Sequence, residues 1–340
     1  DMPILTITGS YDGDQPGAFE FYKTHMTLGS EKARANHYLI VGPWDHAGTR
    51  TPQASVGGLT FGPASLVDLP KLHVQWYNWA MAGGAKPDFL KKRVAYYVMG
   101  AERWRYADTL EGVTVEEKPF FLDSTANANR VMASGSLSPA SAGKGAADSY
   151  VYDPRDVSGA ALEAGLDPSL LTDQTLVLAA DGKQLVYHSA AFDKPTEVSG
   201  FFRLSAWISI DQPDTDFQAS VYEITPDGGS ILLTNDILRA RYRESLREAK
   251  LVTSKAPLRY DFNRFTFVSR QIAKGSRLRL VVGPINSINT QKNYNSGGVV
   301  ADETMADARP VTVKDVTIRV RGVDGSLGSR TFTTYRTHHG

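Results

Sequence analysis

Two short apolar runs near the start of the chain, ILTIT (residues 4–8) and HYLIV (residues 37–41), both stop at a glycine, Gly9 and Gly42, and each is followed by a turn carrying an ionisable residue. Continuous apolar runs bounded by breakers suit strands buried on both faces. Residues 17–36 between them read as a helical connection, with Phe19, Phe21 and Tyr22 near its start and Lys32 and Arg34 near its end. Strand, helix, strand in this length is one βαβ unit, so the strands run parallel and the loops after both open on the same sheet edge. That edge is where open α/β sheets place their sites.

The rest of the chain has a different texture. Residues 69–81 predict a helix, with Leu72, Trp76, Trp79 and Ala80 at spacings of three and four, ended by Gly83-Gly84. From Val94 onward come short strands separated by turns: VAYYVMG, EKPFFLD, QLVYHSA, GFFRLSAWISI, DFQASVYEI, ILLTNDIL, RFTFVSR, SRLRLVVG and VTVKDVTIRV. Such a series predicts a β-sandwich of jelly-roll type. The Gly/Ser/Ala-rich residues 133–147 predict a flexible surface loop. The expected division is therefore an α/β part over residues 1–92 and a β-sandwich over 93–340.

A chain of 340 residues that is 41% hydrophobic can bury a sizeable core in about two domains. Lys+Arg and Asp+Glu are both 37, so no excess charge draws the chain to nucleic acid or to a membrane surface. With no cysteine, thiolate metal sites, disulfides and a cysteine nucleophile are excluded. No apolar run approaches the roughly 18 residues that span a bilayer. Asp1-Met2-Pro3 leads straight into the first strand without the features of a signal peptide, so the expectation is a fragment or processed subunit that begins inside a domain. Compartment and oligomeric state stay open, a homo-oligomer being compatible with everything above.

The chemistry expected at the sheet edge is that of an acid and a base on neighbouring strand ends, Asp12 and His46. A carboxylate accepting from imidazole Nδ1–H fixes the tautomer and stabilises the imidazolium formed when the ring takes a proton from a serine. The unperturbed histidine pKa of about 6.5 suits that task. In α/β-hydrolases the order along the chain is Ser, Asp, His, so the nucleophile would lie upstream. No Gly-x-Ser-x-Gly occurs in the chain; the nearest look-alike, residues 9–13 (GSYDG), has its serine misplaced, and Ser10 is too close to Asp12 to serve. Asp and His at strand ends also occur as plain turn formers.

"GSYDG" followed by "VGPWDHAG" resembles the acid and base motifs, GWYDGF and GPWxHG, of the X-Pro dipeptidyl-peptidase/cocaine esterase (CocE/NonD-type) family of serine hydrolases, which includes α-amino acid ester hydrolases and glutaryl cephalosporin acylases. The resemblance runs on in order through "QWYNWAMAGG", "YYVMGAERWR", "DTDFQASVYEITPDGGS", "LRARYRES" and "KNYNSGG", covering most of the chain. It implies the C-terminal part of an α/β-hydrolase domain followed by a galactose-binding-like jelly roll. It also implies that Asp12 is the triad acid, that His46 is the triad base, and that the serine elbow, the oxyanion hole and a helical cap precede Asp1. Ser10 stands where the family usually has Trp, and Asp14 where an aromatic often follows the acid, which puts bulky aryl-ester substrates in doubt.

The function expected is ester or amide hydrolysis, on an acyl, aminoacyl or dipeptidyl substrate, by a serine supplied from the missing N-terminal hydrolase segment, with no cofactor. The alternative is a non-catalytic carbohydrate-binding or assembly module. Asp14 and Asp45 are candidate contacts for a substrate amine, against the plainer reading that both form turns. His25, His37, His73 and His188 show no ligand spacing, and no metal is assigned. Asp211, Asp214 and Asp216 lack the rest of a calcium loop, Arg239, Arg241, Arg243 and Arg247 interleave with acids as in an ion-paired face, and Trp76, Trp79 and Trp104 read as core between the domains rather than a sugar platform. His338-His339 reads as a terminus or tag remnant.

Overall fold

A computed structural model describes residues 2–140, 147–315 and, as backbone, 331–336. The centre of the expected loop and the terminal His338-His339 pair lie outside the described residues.

The N-terminal half of the fold is the βαβ unit. Strand β1 (Ile4–Gly9) and strand β2 (His37–Gly42) pair in parallel with Gly9 opposite Gly42, and the connection is helix α1 (Gln15–Leu28) and the short α2 (Glu31–Ala35). After a small hairpin, β3 (Ser55–Val56) with β4 (Leu59–Thr60), helix α3 spans Leu69–Ala82, N-capped by the Asp68 side chain and closed by Gly83 in the left-handed region. Alternate residues of β2 serve opposite cores: Leu39 and Val41 pack with Phe19 and Tyr22 of α1, Tyr38 and Ile40 with Leu72 and Trp76 of α3.

Strand β5 (Val94–Val98) lies past the boundary expected at residue 92 and belongs to the first sheet. It pairs in parallel with β2, and β6 (Arg103–Ala107) pairs antiparallel with β5, so the first sheet has the order β1-β2-β5-β6 and runs past residue 92 to Ala107. The physical reason is visible in VAYYV, all five of whose residues are buried as in a parallel strand covered on both faces. Trp104 and Trp79 belong to the α3-side core of this sheet, Trp104 donating its indole N–H to the Ala64 carbonyl at 2.7 Å.

Among the described residues, thirteen further strands form one continuous pairing network. They are β7 (Glu116–Asp123), β8 (Gly135–Ser138), β9 (Asp148–Tyr152), β10 (Leu185–Ser189), β11 (Thr196–Gly200), β12 (Arg203–Ile210) and β13 (Asp216–Ile224). The series continues with β14 (Ser230–Arg239), β15 (Leu258–Phe262), β16 (Val268–Ile272), β17 (Arg277–Pro284), β18 (Val311–Asp315) and β19 (Thr331–Arg336). Short helices α4 (Ser158–Glu163) and α5 (Thr175–Ala179) lie in the connection between β9 and β10. Alternate residues of β12, β13, β15, β17 and β18 converge on one core, among them Leu204, Ile208, Phe217, Tyr260, Phe262 and Leu280. Residues 135–138, expected in a loop, are strand β8, inserted between β7 and β10. Pairing across the sheet overrides the Gly/Ser composition there.

The two sheets are joined directly. Met99 donates to the Gln271 neighbour Ser269 carbonyl at 3.1 Å and its own carbonyl accepts from Gln271 at 2.8 Å, Phe267 stacks on Phe19 with ring centres 5.2 Å apart, and Arg105 grips the buried Glu197 through Nε and Nη2. Such a bidentate pair sets geometry as well as contributing energy.

His37, fully buried at the start of β2, lies between the Thr6 hydroxyl (Nε2 at 2.7 Å) and the His25 ring (Nδ1 to Nδ1, 3.0 Å), against the Tyr22 ring. Burial, with a further contribution from His25, pulls its pKa down to about 4. Burial, helped by Arg279 and Arg277, does the same to His188, also to about 4. An unfolded imidazole titrates near about 6.5, so below that pH the unfolded chain binds more protons and stability falls as pH falls; the full contribution is present only above it. Unfolding free energies from urea melts run from pH 6.5 down to 5, above the carboxylate range, are expected to fall with a slope approaching about 1.4 kcal/mol per pH unit for each of the two histidines. His37→Gln should remove about half of that slope; an unchanged slope would show that His37 is not the group responsible.

Candidate functional site

The parallel pairing of β1 and β2 does not stop at the two glycines. Ser10 N–H donates to the Gly42 carbonyl at 2.8 Å and Tyr11 N–H to the Trp44 carbonyl at 3.0 Å, so the two loops leave the sheet side by side. This puts Asp12 opposite His46. The His46 Nδ1 to Asp12 Oδ1 distance is 3.0 Å, with the imidazole half-exposed and the Asp12 side chain buried.

Asp12 is held from three sides. Its Oδ2 accepts from the Thr8 hydroxyl at 3.0 Å, and its Oδ1 accepts from the Asp14 backbone N–H at 3.0 Å as well as facing the imidazole. An ionised carboxylate only accepts, so the proton between the pair sits on Nδ1 and the His46 Nε2 lone pair is left without a protein partner among the described residues. The His46 backbone carbonyl is fixed in turn by the Thr49 hydroxyl at 2.7 Å.

Of the four residues expected at the site, the structure brings together Asp12, His46 and Asp14. They line an open cavity of about 410 Å³ with Ile7, Gly17 and Thr49. The Asp14 carboxylate is largely exposed, makes no capping bond to helix α1, and comes within 3.5 Å of the imidazole Nδ1. Asp45 does not join them: its Oδ1 accepts from the Gly48 N–H at 2.8 Å, forming the turn after β2. Ligand atoms of Asp12, Asp14 and His46 lie within 4.8 Å of one another, which is metal-like spacing. Both Asp12 oxygens are nevertheless already engaged in hydrogen bonds. Ser10 is buried and does not line the cavity.

Sequence reasoning misses Gln15 and Tyr11. Gln15, almost fully buried in the first turn of α1, accepts the Phe267 N–H at 2.7 Å, and its amide nitrogen lies 3.1–3.2 Å from the carbonyls of Gly9, Ser10 and Phe267. Tyr11 donates its phenol to the Leu232 carbonyl at 2.9 Å. Both tie the acid-bearing loop to the second sheet, across 252 and 221 residues of chain, and no local pattern signals such partners. Gln15→Leu strands a buried N–H and carbonyls and is expected to cost about 2–4 kcal/mol in denaturant melts; a loss below about 0.5 kcal/mol would mean that the loop holds without it.

The other motifs singled out are structural. Arg239 pairs with Asp216, Arg241 with Asp214 and Arg243 with Glu244, and Asn293 bridges Asp214 and Asp216.

The first sheet thus presents an acid–imidazole pair at the ends of parallel strands and is joined to a large, mostly antiparallel sheet. Residues 89–297 match the family described as the X-Pro dipeptidyl-peptidase C-terminal non-catalytic domain. The chain belongs to this X-Pro dipeptidyl-peptidase/cocaine esterase family. It is 28% identical over 312 residues to the cocaine esterase of Rhodococcus sp. (strain MB1 Bresler), covering 90% of this chain and 52% of that protein. Its fold is similar to an aminopeptidase from a marine sediment Thaumarchaeota archaeon (TM-score 0.80, 20% identity, 99% of this chain and 55% of that one). It is equally similar to an α-amino acid ester hydrolase (TM-score 0.80, 19% identity, 99% and 55%). The chain spans about half the length of the curated esterase it matches. Asp12 and His46 lie outside the matched residues 89–297.

Proposed function

We propose that the chain is the C-terminal portion of a serine hydrolase that cleaves an ester or amide, with Asp12 as the acid and His46 as the base of a triad whose serine lies upstream. The observation that carries this reading is the 3.0 Å contact between His46 Nδ1 and the buried Asp12 carboxylate at adjacent parallel strand ends, beside an open cavity. In this reading the first sheet is the end of an α/β-hydrolase domain and the thirteen-stranded unit a galactose-binding-like jelly roll. Strand β1 supports it: its apolar residues Ile4, Leu5 and Ile7 are only half-buried at an edge with no neighbouring strand among the described residues, which suits a sheet continued by upstream strands.

In the reaction, His46 Nε2 takes the serine proton as the hydroxyl attacks the carbonyl, Asp12 stabilises the imidazolium, and His46 returns the proton to the leaving group; water then repeats the cycle on the acyl-enzyme. No cofactor enters these steps. The test is fluorophosphonate labelling of the intact protein. One labelled serine outside the present 340 residues, with labelling lost in His46→Ala, is the expected result; no labelled serine in an intact protein would leave the non-catalytic binding or assembly module, the reading that the family description of residues 89–297 favours.

Asp14 is the proposed contact for a protonated substrate amine, because its exposed carboxylate shares the cavity with His46. Asp14→Asn is expected to lower kcat/KM for an aminoacyl ester about fivefold, the upper size of one exposed charge contact, and to leave the matched des-amino ester within about twofold. Equal effects on both esters would remove Asp14 from substrate recognition.

A further inference from the structure

Four half-buried arginines of this fold meet buried carboxylates. Arg105 pairs with Glu197, Arg239 with Asp216, Arg241 with Asp214 and Arg270 with Glu223, and in each pair the acid is more than nine-tenths buried. Arg279 breaks the pattern. It is 6% exposed, yet among the described residues no carboxylate comes within ion-pair distance of it.

Its partners are neutral. Arg279 lies on β17 in register with His188 of β10 on one side and Tyr222 of β13 on the other, a row of three side chains on one face of the sheet. Its Nε donates to His188 Nε2 at 2.8 Å and its Nη1 to the Gln174 side-chain oxygen at 3.0 Å. Because Nε2 accepts, the His188 proton sits on Nδ1 and is directed at the Ser134 hydroxyl, 2.7 Å away. No protein acceptor for Arg279 Nη2 is found among the described residues. Arg277, two residues along the same strand and exposed, adds a second cation close enough to act on His188.

Taking a guanidinium out of water without a counter-charge costs several kcal/mol, and neutral acceptors offset only part of it. The pull of burial on Arg279, which lowers its pKa, is consistent with that cost. The missing element is a negative charge. His188, Ser134, Gln174 and Tyr222 are all only half-buried, so a small solute can reach the row from outside.

We propose that this row is a binding site for a small oxyanion, a carboxylate, sulfate or phosphate group, held between Arg279 Nη2 and the Arg277 guanidinium. Planar carboxylates and tetrahedral oxyanions both match the forked donors of arginine. The row shares no residue with the Asp12–His46 pair and stands whether or not that pair is catalytic.

The test titrates the intact protein with sodium acetate, sulfate and phosphate against sodium chloride at matched ionic strength, reading Tm and the imidazole NMR signals of His188. At least one anion is expected to raise Tm saturably and shift the His188 signals. The apparent Kd should weaken about tenfold in Arg277→Gln, and the response should vanish in Arg279→Met. A response to acetate alone identifies a carboxylate ligand, and a response confined to sulfate or phosphate a tetrahedral one. If Arg279→Met does not fold, the exposed Arg277→Gln still decides. The proposal is overturned if no anion exceeds chloride, or if Tm rises while the His188 signals stay put and Arg277→Gln responds like the parent.

Discussion

Alanine in place of His46 in the intact protein is expected to lower kcat for a good ester substrate by a factor on the order of 10⁵–10⁶, with little change in stability. The imidazole is half-exposed, and the buried Asp12 carboxylate that loses it keeps its bonds from the Thr8 hydroxyl and the Asp14 N–H. Asp12→Asn should lower kcat by about 10⁴, because an amide in place of the carboxylate favours the wrong tautomer of His46. It should also destabilise, since Asp12 accepts from the Thr8 hydroxyl and the Asp14 N–H inside the loop. Steady-state kinetics with thermal melts on both variants separate the two effects. A His46→Ala protein retaining more than about a tenth of the parent kcat would end the triad assignment, whatever its stability.

The second large effect concerns the glycines that close the two strands. A Cβ placed on Gly42 falls inside the indole of Trp44, and one placed on Gly9 falls onto the Trp44 backbone carbonyl. Trp44 is fully buried, with its indole N–H donated to the Ser65 carbonyl at 3.0 Å, so it has nowhere to move. Gly42→Ala is expected to cost about 3–5 kcal/mol, the upper range for overpacking, and Gly9→Ala at least as much because backbone rather than a side chain must yield. Gly13→Ala is the control: nothing lies within 4 Å of its added Cβ, and stability should stay within about 0.5 kcal/mol. Denaturant melts of the three variants check this. A neutral Gly42→Ala would show that the loop carrying His46 is far looser than its packing implies.

These two predictions are linked through one short segment. Trp44 packs the loop down, its carbonyl receives Tyr11, and two residues later His46 faces Asp12. Displacing Trp44 therefore displaces His46. Gly42→Ala protein that still folds should lose activity in excess of its loss of folded population.

Much of this was legible from local chemistry. The ILTIT and HYLIV runs with their glycine stops specified parallel strands, and parallel strands specified that the residues after Gly9 and Gly42 emerge together, so the juxtaposition of Asp12 and His46 followed from position alone. Ion pairing of the arginine run was readable from the acids interleaved with it, but the partners of Arg239 and Arg241, Asp216 and Asp214, lie across the sheet and were not. What the sequence could not reveal depends on partners far along the chain. VAYYV reads equally as a sandwich strand or a parallel one until β2 is beside it, and Gly135–Ser138 reads as a loop until β7 and β10 take it in. Asp14 and Asp45 are equivalent as letters. Only the folded turn shows Asp45 bonded to Gly48 and Asp14 open to the cavity. Gln15 and Arg279 are the clearest cases, one joined to Phe267 across the sheet junction and the other buried with no acid beside it among the described residues. Periodicity and turn chemistry act over a few residues and are written in order along the chain, whereas burial and the identity of a polar partner are set by contacts that exist only once the two sheets have closed on each other.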